Sequence, residues 1–169
     1  GSISSDIITS IYEDHRQTLW IGTFMGGLNA FDGKSFKKFQ LNETNPNSLS
    51  SKSVYSLTED NDHNLWIATL GGGIDQLNPA RDTFTHHNMS NSKDLLSNYI
   101  VSMFVDTQNN IFLSTDRGIC VLDESKKEVR RYFPNNTFVK HSPYLSLNKQ
   151  IFYLFLLLLF VYYQFPRIH

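Results

Sequence analysis

The sequence has neither an excess of one charge nor a set of cysteines. Its 169 residues include 15 Lys and Arg against 16 Asp and Glu, a formal net charge of −1. Without a basic excess to neutralise phosphates, a nucleic-acid partner is not expected. The single cysteine, Cys120, excludes an internal disulfide. Cys120 aligns with Asn29 and Asp75 in the repeats described below, which indicates a strand residue rather than a nucleophile or a ligand.

Catalytic and cofactor-binding motifs are also missing from the sequence. There is no HExxH zinc motif, no nucleophile elbow and no carboxylate pair that can be placed across a cleft. The glycine run at 71–73 lacks the spacing of a phosphate-binding loop and precedes a predicted strand rather than a helix. We therefore expect no enzyme, and no catalytic, cofactor-binding or metal-binding residues. Ligand-binding residues stay unassigned.

What the sequence does contain is a unit that occurs three times, at residues 4–39, 51–87 and 97–133. Equivalent positions lie 46 residues apart, except that the third unit needs a one-residue deletion before its glycine. A fixed period of this size is typical of solenoids, propellers and arrays. The positions that define the repeat are Asp14, Asp60 and Asp106; Leu19, Leu65 and Ile111; Trp20, Trp66 and Phe112; and Gly27, Gly73 and Gly118.

The second unit predicts four short strands separated by turns. β-Branched and aromatic residues indicate strands, whereas Asp, Asn, Gly and Pro indicate turns. Four strands in about 40 residues form one blade of a β-propeller. The predicted strands lie at 54–58, 65–70, 74–77 and 83–87, and the predicted turns lie at 60–64, 71–73 and 78–82.

We accordingly expect an all-β fold of three four-stranded antiparallel blades, an incomplete propeller followed by a hydrophobic C-terminal segment. The expected blades are 4–41, 51–87 and 97–133, within a domain at 3–134. Gly1-Ser2 resembles the remnant of an expression tag. Closed propellers typically have about 4–8 blades, so three blades leave apolar faces uncovered. A homo-oligomer formed through blade faces or through the tail is therefore expected.

The tail at 135–169 does not follow the repeat. Residues 151–163 are thirteen apolar residues without a charge, IFYLFLLLLFVYY. Since a membrane-spanning helix needs about 20 apolar residues, this run is short for an anchor. Three interpretations stay open: a packed hydrophobic segment, a marginal membrane anchor, and a non-native tail from a disrupted reading frame.

Three further patterns have a structural and a functional interpretation. Asp60-x-Asp62-x-Asn64 resembles the start of a calcium loop, but Leu65 stands where the loop needs Gly, which favours a hairpin turn. His86 and His87 are neighbours on a predicted strand, so they face opposite sides and indicate a solvated strand end. The two tryptophans could stack on sugars, yet their repeated position favours a packing role.

The strongest resemblance to a known family lies in two copies of one motif. Residues 19–23 (LWIGT) precede Gly26-Gly27, and residues 65–69 (LWIAT) precede Gly72-Gly73. With the acidic residues before each turn and the connector NPNSLSS at 45–51, these resemble two-component-regulator propeller repeats. Such repeats occur in the periplasmic sensor regions of hybrid histidine kinases, best known from gut Bacteroides.

The resemblance covers residues 4–133 and implies a function. In that family the propellers detect oligosaccharides outside the cytoplasm, and a membrane helix and a kinase follow. We therefore expect a fragment of a periplasmic sensor domain that binds a ligand or acts as a scaffold without catalysis. The alternatives are a fragment of a propeller-type lyase or hydrolase, and a truncated gene remnant without independent function.

Overall fold

A computed structural model describes residues 2–92 and 95–123 and the backbone of 129–132. Three four-stranded antiparallel sheets make up this part of the chain, each with its strands in sequence order. The expected all-β fold of three propeller blades is confirmed. The strands are β1 Ile8–Glu13, β2 Leu19–Thr23, β3 Gly27–Phe31, β4 Phe36–Phe39, β5 Val54–Glu59, β6 Leu65–Thr69, β7 Gly73–Leu77, β8 Phe84–His87, β9 Ile100–Val105, β10 Ile111–Thr115, β11 Gly118–Leu122 and β12 Val129–Tyr132.

The first strands of the three blades lie side by side. β1 contacts β5, and β5 contacts β9. The hydroxyl of Thr9 donates a hydrogen bond to the carbonyl of Val54, and the amide of Met103 donates to the hydroxyl of Ser56 at 3.1 Å. Because each blade is a simple meander, this arrangement gives the stacked, open array of a partial propeller.

Each hairpin between the first two strands of a blade is organised by one aspartate. The side chain of Asp60 accepts hydrogen bonds from the amides of Asp62 and Asn64, and from the indole Nε1 of Trp66 at 2.8 Å. Asp14 does the same for Arg16, Thr18 and Trp20. In the third blade the Asp106 side chain bonds the amides of Gln108 and Asn110. The Asp-turn-Trp pattern of the sequence therefore corresponds to a hydrogen bond that joins the turn to a tryptophan in the core.

The same turns place one residue in the left-handed region in every blade. Gln17, His63 and Asn109 have φ values of 63°, 64° and 65°. An L residue adopts this conformation at some cost in free energy, and Asn adopts it most readily. The repetition shows that the backbone path of the turn is shared although the residues differ.

The apolar cores lie between blades rather than within them. One cluster joins Trp20 and Leu28 of the first blade to Val54 and Leu65 of the second. The other joins Trp66 of the second blade to residues of the third, including Ile100 and Leu113. Blades 1 and 2 share one core, and blades 2 and 3 share the other.

A hydrogen bond that recurs in all three blades joins the segment before each blade to the third strand of that blade. The amides of Ser4 and Ser50 bond the side chains of Asn29 and Asp75 at 3.1 and 2.8 Å. In the third blade the amide of Leu96 bonds the sulfur of Cys120 at 3.3 Å. Cys120 therefore lies on a strand, as predicted, and occupies a position that needs an acceptor.

The glycine turn of the second blade is needed for close packing. Gly73 has a φ of 89°, and a Cβ added there would lie 2.3 Å from the carbonyl oxygen of His87. Because a side chain would not fit there, the crowding agrees with the structural role predicted for the glycine run at 71–73.

The predicted tail at 135–169 lies outside the described residues, so its three interpretations stay open. The predicted domain limits likewise stay predictions. In the part of the chain that the structure describes, no helix has the length and apolarity to cross a membrane.

Replacing Trp66 by Phe should destabilise the chain by about 1–3 kcal/mol, because the buried carboxylate of Asp60 loses one of its donors. Chemical denaturation measures this change. Tyr99, which is 51% exposed, offers a control: Tyr99→Phe should change the free energy of unfolding by less than about 0.5 kcal/mol. Equal effects of the two substitutions would contradict a stabilising role for the hydrogen bond between Trp66 and Asp60.

Candidate functional site

The tryptophans considered for sugar stacking do not reach a surface. Trp20 is 2% exposed and Trp66 is fully buried. Their rings belong to the two cores between blades. The structure shows the packing role that their repeated position favoured. Neither ring is exposed, so neither can stack on a ligand.

The calcium-loop resemblance at 60–64 coincides with the Asp60 turn. One carboxylate oxygen of Asp60 accepts the turn amides, and the other accepts the indole of Trp66. The side-chain amide of Asn64 contacts both oxygens, at 3.1 and 3.0 Å. The arrangement is that of a hydrogen-bonded hairpin turn, in which the donors surround the carboxylate.

His86 and His87 face opposite sides of their sheet, as expected, but both are half-buried rather than solvated. Nδ1 of His86 lies 2.7 Å from the buried carboxylate of Asp75, and its Nε2 lies 2.9 Å from the carbonyl of Pro46. The ring of His87 packs on Trp66, with centroids 5.3 Å apart. The expected solvated strand end is wrong because each ring finds a partner on its own face.

The two histidines have pKa values shifted in opposite directions. The hydrogen bond to Asp75 raises the pKa of His86 above its usual 6.5, in spite of partial burial. Burial lowers the pKa of His87 below 6.5. One imidazole is thus stabilised as a cation and the other as a neutral ring, because the two consecutive residues face opposite sides of the sheet.

A polar cluster that the sequence did not indicate lies where the first two blades meet. We call His15, Glu59, His63 and Arg81 the junction cluster. Nδ1 of His15 lies 2.7 Å from Oε1 of Glu59, and the rings of His15 and His63 stack with centroids 3.7 Å apart. Arg81 donates to Oε1 of Glu59 at 2.6 Å and to Asp14 at 3.0 Å.

The junction cluster combines partial burial with charges of both signs. The side chains of Glu59 and Arg81 are 6% and 11% exposed, whereas that of His15 is 32% exposed. Burial raises the pKa of the neighbouring Asp14, but hydrogen bonds from Trp20, Thr18, Arg16 and Arg81 outweigh it and lower that pKa. Asp14 is therefore stabilised as a carboxylate beside the junction cluster, in which His15 and His63 are exposed to solvent.

The junction cluster is not apparent in the sequence because its members lie in different hairpins of two blades. His15 and Glu59 are 44 positions apart, close to the 46-residue period, so they meet only when neighbouring blades stack. The signal in the sequence is that His15 and His63 stand at turn positions where the other units have Asn, Gln or Thr.

The structure also contains a cleft of about 710 Å³ beside the first connector. The end of β4 and the connector form its walls, with Lys38, Phe39, Lys52 and Phe84 among the residues that line it. Several connector amides also line it, including Asn42 and Asn47. The cleft is thus lined by aromatic residues, side-chain amides, two cations and the carboxylate of Glu43.

The outer face of the first blade is apolar and open to solvent. Ile11 on β1 is 64% exposed, whereas its equivalents Leu57 and Met103 are each 8% exposed. Ile8 is 42% exposed, whereas its equivalents Val54 and Ile100 are fully buried. The first blade thus presents the face that the second and third blades bury against a preceding neighbour.

Two segments of the repeat match a known protein family. Residues 2–25 and 48–71 match the family model described as two component regulator propeller. These two segments are similar to two-component regulator propeller repeats. The matched segments contain the aspartate turn and the tryptophan strand of the first two blades, and the resemblance read from the sequence is confirmed.

The extracellular domains of two bacterial proteins are similar to the chain in structure. The extracellular domain of BT3049 from B. thetaiotaomicron, assigned to a hybrid two component system, has a TM-score of 0.73 and 26% identity, covering 80% of this chain and 19% of that one. The extracellular domain of BT4673 from the same organism has a TM-score of 0.65 and 25% identity, covering 77% and 19%. The chain therefore spans about a fifth of the length of these domains.

A more distant likeness extends to an enzyme. Virginiamycin B lyase from Staphylococcus aureus has a TM-score of 0.56 and 13% identity, covering 77% of this chain and 42% of that one. At this identity the likeness shows the propeller fold alone. Among curated proteins, none matches the sequence. The neighbours at 25–26% identity are extracellular domains of two component systems, and the lyase is more distant in sequence.

The opposite pKa shifts of His86 and His87 predict opposite pH dependence in two variants. A raised pKa in the folded state stabilises the fold below pH 6.5 and ceases to do so as pH rises through the folded pKa. His86→Gln should therefore cost more stability at about pH 5.5 than at about pH 9. Urea denaturation at the two pH values measures the difference.

His87→Gln is the matched comparison on the same strand. A lowered pKa penalises the folded state as pH falls below 6.5. The cost of His87→Gln should therefore be larger at about pH 9 than at about pH 5.5. Parallel pH profiles for the two variants would contradict the assigned environments.

Proposed function

We propose that the chain is a ligand-binding segment of the sensor propeller of a hybrid two-component system, that it acts in the periplasm, and that it has no catalytic activity. The single observation that carries this proposal is the likeness to the extracellular domain of BT3049, at 26% identity over 80% of the chain. The family match over both turn-and-strand segments supports the same proposal. Because the chain covers 19% of that domain, we propose it as a fragment of such a sensor.

The proposed ligand class is an oligosaccharide, and the proposed place is the connector cleft. Its volume of about 710 Å³ is within the usual range for small-molecule sites, about 300–1,000 Å³. Amides and ammonium groups can hydrogen-bond sugar hydroxyls, and the edges of Phe39 and Phe84 supply apolar contact. Glu43 is one carboxylate among the residues that line the cleft, and in the described part of the chain no pair of carboxylates lines it. We therefore propose that the cleft binds a ligand rather than performs acid–base chemistry.

Calorimetric titration of the full chain with maltohexaose, cellohexaose, xylohexaose and an oligogalacturonate tests the proposal. At least one should bind, and the double variant Lys38→Ala/Lys52→Ala should weaken that binding by about tenfold or more. A hydrogen bond to a charged group contributes about 1.5–3 kcal/mol.

Lys34→Ala is the matched control for this titration. Lys34 lies in the exposed hairpin turn of the first blade, outside the residues that line the cleft. This variant should bind as the parent chain does. Absence of binding to all four sugars would contradict the oligosaccharide proposal, and equal loss in both variants would contradict the cleft.

We further propose that the open face of the first blade takes part in self-association. Ile8 and Ile11 expose apolar surface at positions that neighbouring blades bury elsewhere in the same chain. Covering such a face removes apolar area from water, at roughly 25 cal/mol per Å². A second copy of the chain can supply the missing neighbour.

Light scattering after gel filtration should therefore give a mass above that of the monomer, and Ile11→Lys should shift the chain towards the monomer. Met89→Lys is a control on the second connector, where Met89 is 44% exposed, and it should leave the mass unchanged. A monomeric parent chain would contradict self-association.

A further inference from the structure

We propose that His15, Glu59 and His63 of the junction cluster form a binding site for a divalent transition-metal ion of the Zn²⁺ class. Each residue offers one ligand atom, and these atoms lie within 4.8 Å of one another. The proposal is independent of the oligosaccharide cleft, which is lined by other residues.

The donor set fits this class of ion. Imidazole nitrogen and carboxylate oxygen bind Zn²⁺ at about 2.0–2.2 Å, and two His with one carboxylate is a known protein ligand set. Ca²⁺ and Mg²⁺ prefer sets made entirely of oxygen. Three protein ligands leave a further coordination position for water, because Zn²⁺ is usually four-coordinate.

The three ligands are already held close together by surrounding contacts. The amide of His15 donates to Oε2 of Glu59 at 3.0 Å. Arg81 bonds Oε1 of Glu59 and also the carbonyl of His63 at 3.0 Å. These contacts fix the backbone of one histidine and the carboxylate, so small side-chain movements suffice to converge on an ion.

The local charge permits a cation but does not strongly attract one. Asp14 and Glu59 supply two negative charges, and Arg81 bridges them at 3.0 and 2.6 Å. Arg16 contacts Nε2 of His15 at 3.3 Å and adds a second positive charge. Since the carboxylates and guanidiniums balance, affinity must come mainly from the imidazole and carboxylate bonds, and we expect moderate rather than very tight binding.

The second junction of the same chain provides an internal comparison. Positions equivalent to His15, Glu59 and His63 hold Asn61, Val105 and Asn109. There the amide of Asn61 bonds Oδ1 of Asn109 at 3.0 Å, and the blades still stack. Joining two blades therefore does not require the His-Glu-His set, which leaves metal binding as a role that distinguishes the first junction.

This comparison also supplies the variants. His15→Asn and His63→Asn each introduce the residue that the second junction carries, so both should fold. Asn is moreover the non-glycine residue that best tolerates the positive φ of position 63. His86→Gln removes a histidine far from the cluster and serves as the control for binding to other imidazoles.

Calorimetric titration of the full chain with ZnCl₂ tests the proposal. The parent chain and His86→Gln should bind one Zn²⁺ at this site, whereas His15→Asn and His63→Asn should each lose about tenfold or more in affinity. CaCl₂ and MgCl₂ should give no comparable binding. If the parent chain binds no Zn²⁺, or if both Asn variants bind it equally well, the proposal is wrong.

A folding measurement gives a second readout. An ion that binds only the folded state stabilises it in proportion to the logarithm of its concentration over Kd. Excess ZnCl₂ should therefore raise the urea midpoint of the parent chain and leave that of the double variant His15→Asn/His63→Asn unchanged. Equal shifts in both would mean binding elsewhere on the chain and would overturn the assignment.

Discussion

Burial of sheet faces against neighbouring sheets is the constraint on which the structure depends. The second blade shows it most clearly, because every residue of β6, Leu65–Thr69, is buried. Along this strand Leu65 and Ile67 pack towards the first blade, whereas Trp66 and Ala68 pack towards the third. Alternation on a strand thus separates two cores rather than a core from water. No blade completes its own core, and each depends on its neighbours for stability.

The aspartate turns convert this stacking into a defined geometry. In the second blade Asp60 fixes the hairpin and, through its bond to the indole of Trp66, fixes a ring that belongs to the core. In the first blade Asp14 holds Trp20 in the same way and also receives Arg81 from the second blade. Asp14 therefore stabilises its own turn and also binds a residue of the neighbouring blade. Polar contacts at the edge of the first junction thus accompany the apolar packing inside it.

The strands and turns could be predicted because their signals are local and occur three times. Predicted strand 54–58 corresponds to Val54–Glu59, and the turn at 60–64 has the hydrogen bonds that its Asp and Asn residues indicated. The junction cluster could not be predicted in this way. His15 and His63 replace polar residues that have no imidazole in the other copies, so they are departures from the repeat. The repeat is what the sequence makes visible. The environments of His86 and His87 likewise depend on Asp75 and Trp66, which only the folded sheet brings beside them.

The sharing of cores between neighbours implies a gradient of local stability along the chain. Strand β6 is covered on two sides, whereas β1 has Ile8 and Ile11 in contact with solvent. In a linear array, opening of an end unit breaks one interface, and opening of the middle unit breaks two. Amide hydrogens of the second blade should therefore exchange with solvent most slowly, and those of the first blade should exchange through fraying of that end. The second blade should therefore be the most stable of the three, and the first blade should be able to open locally without unfolding the other two.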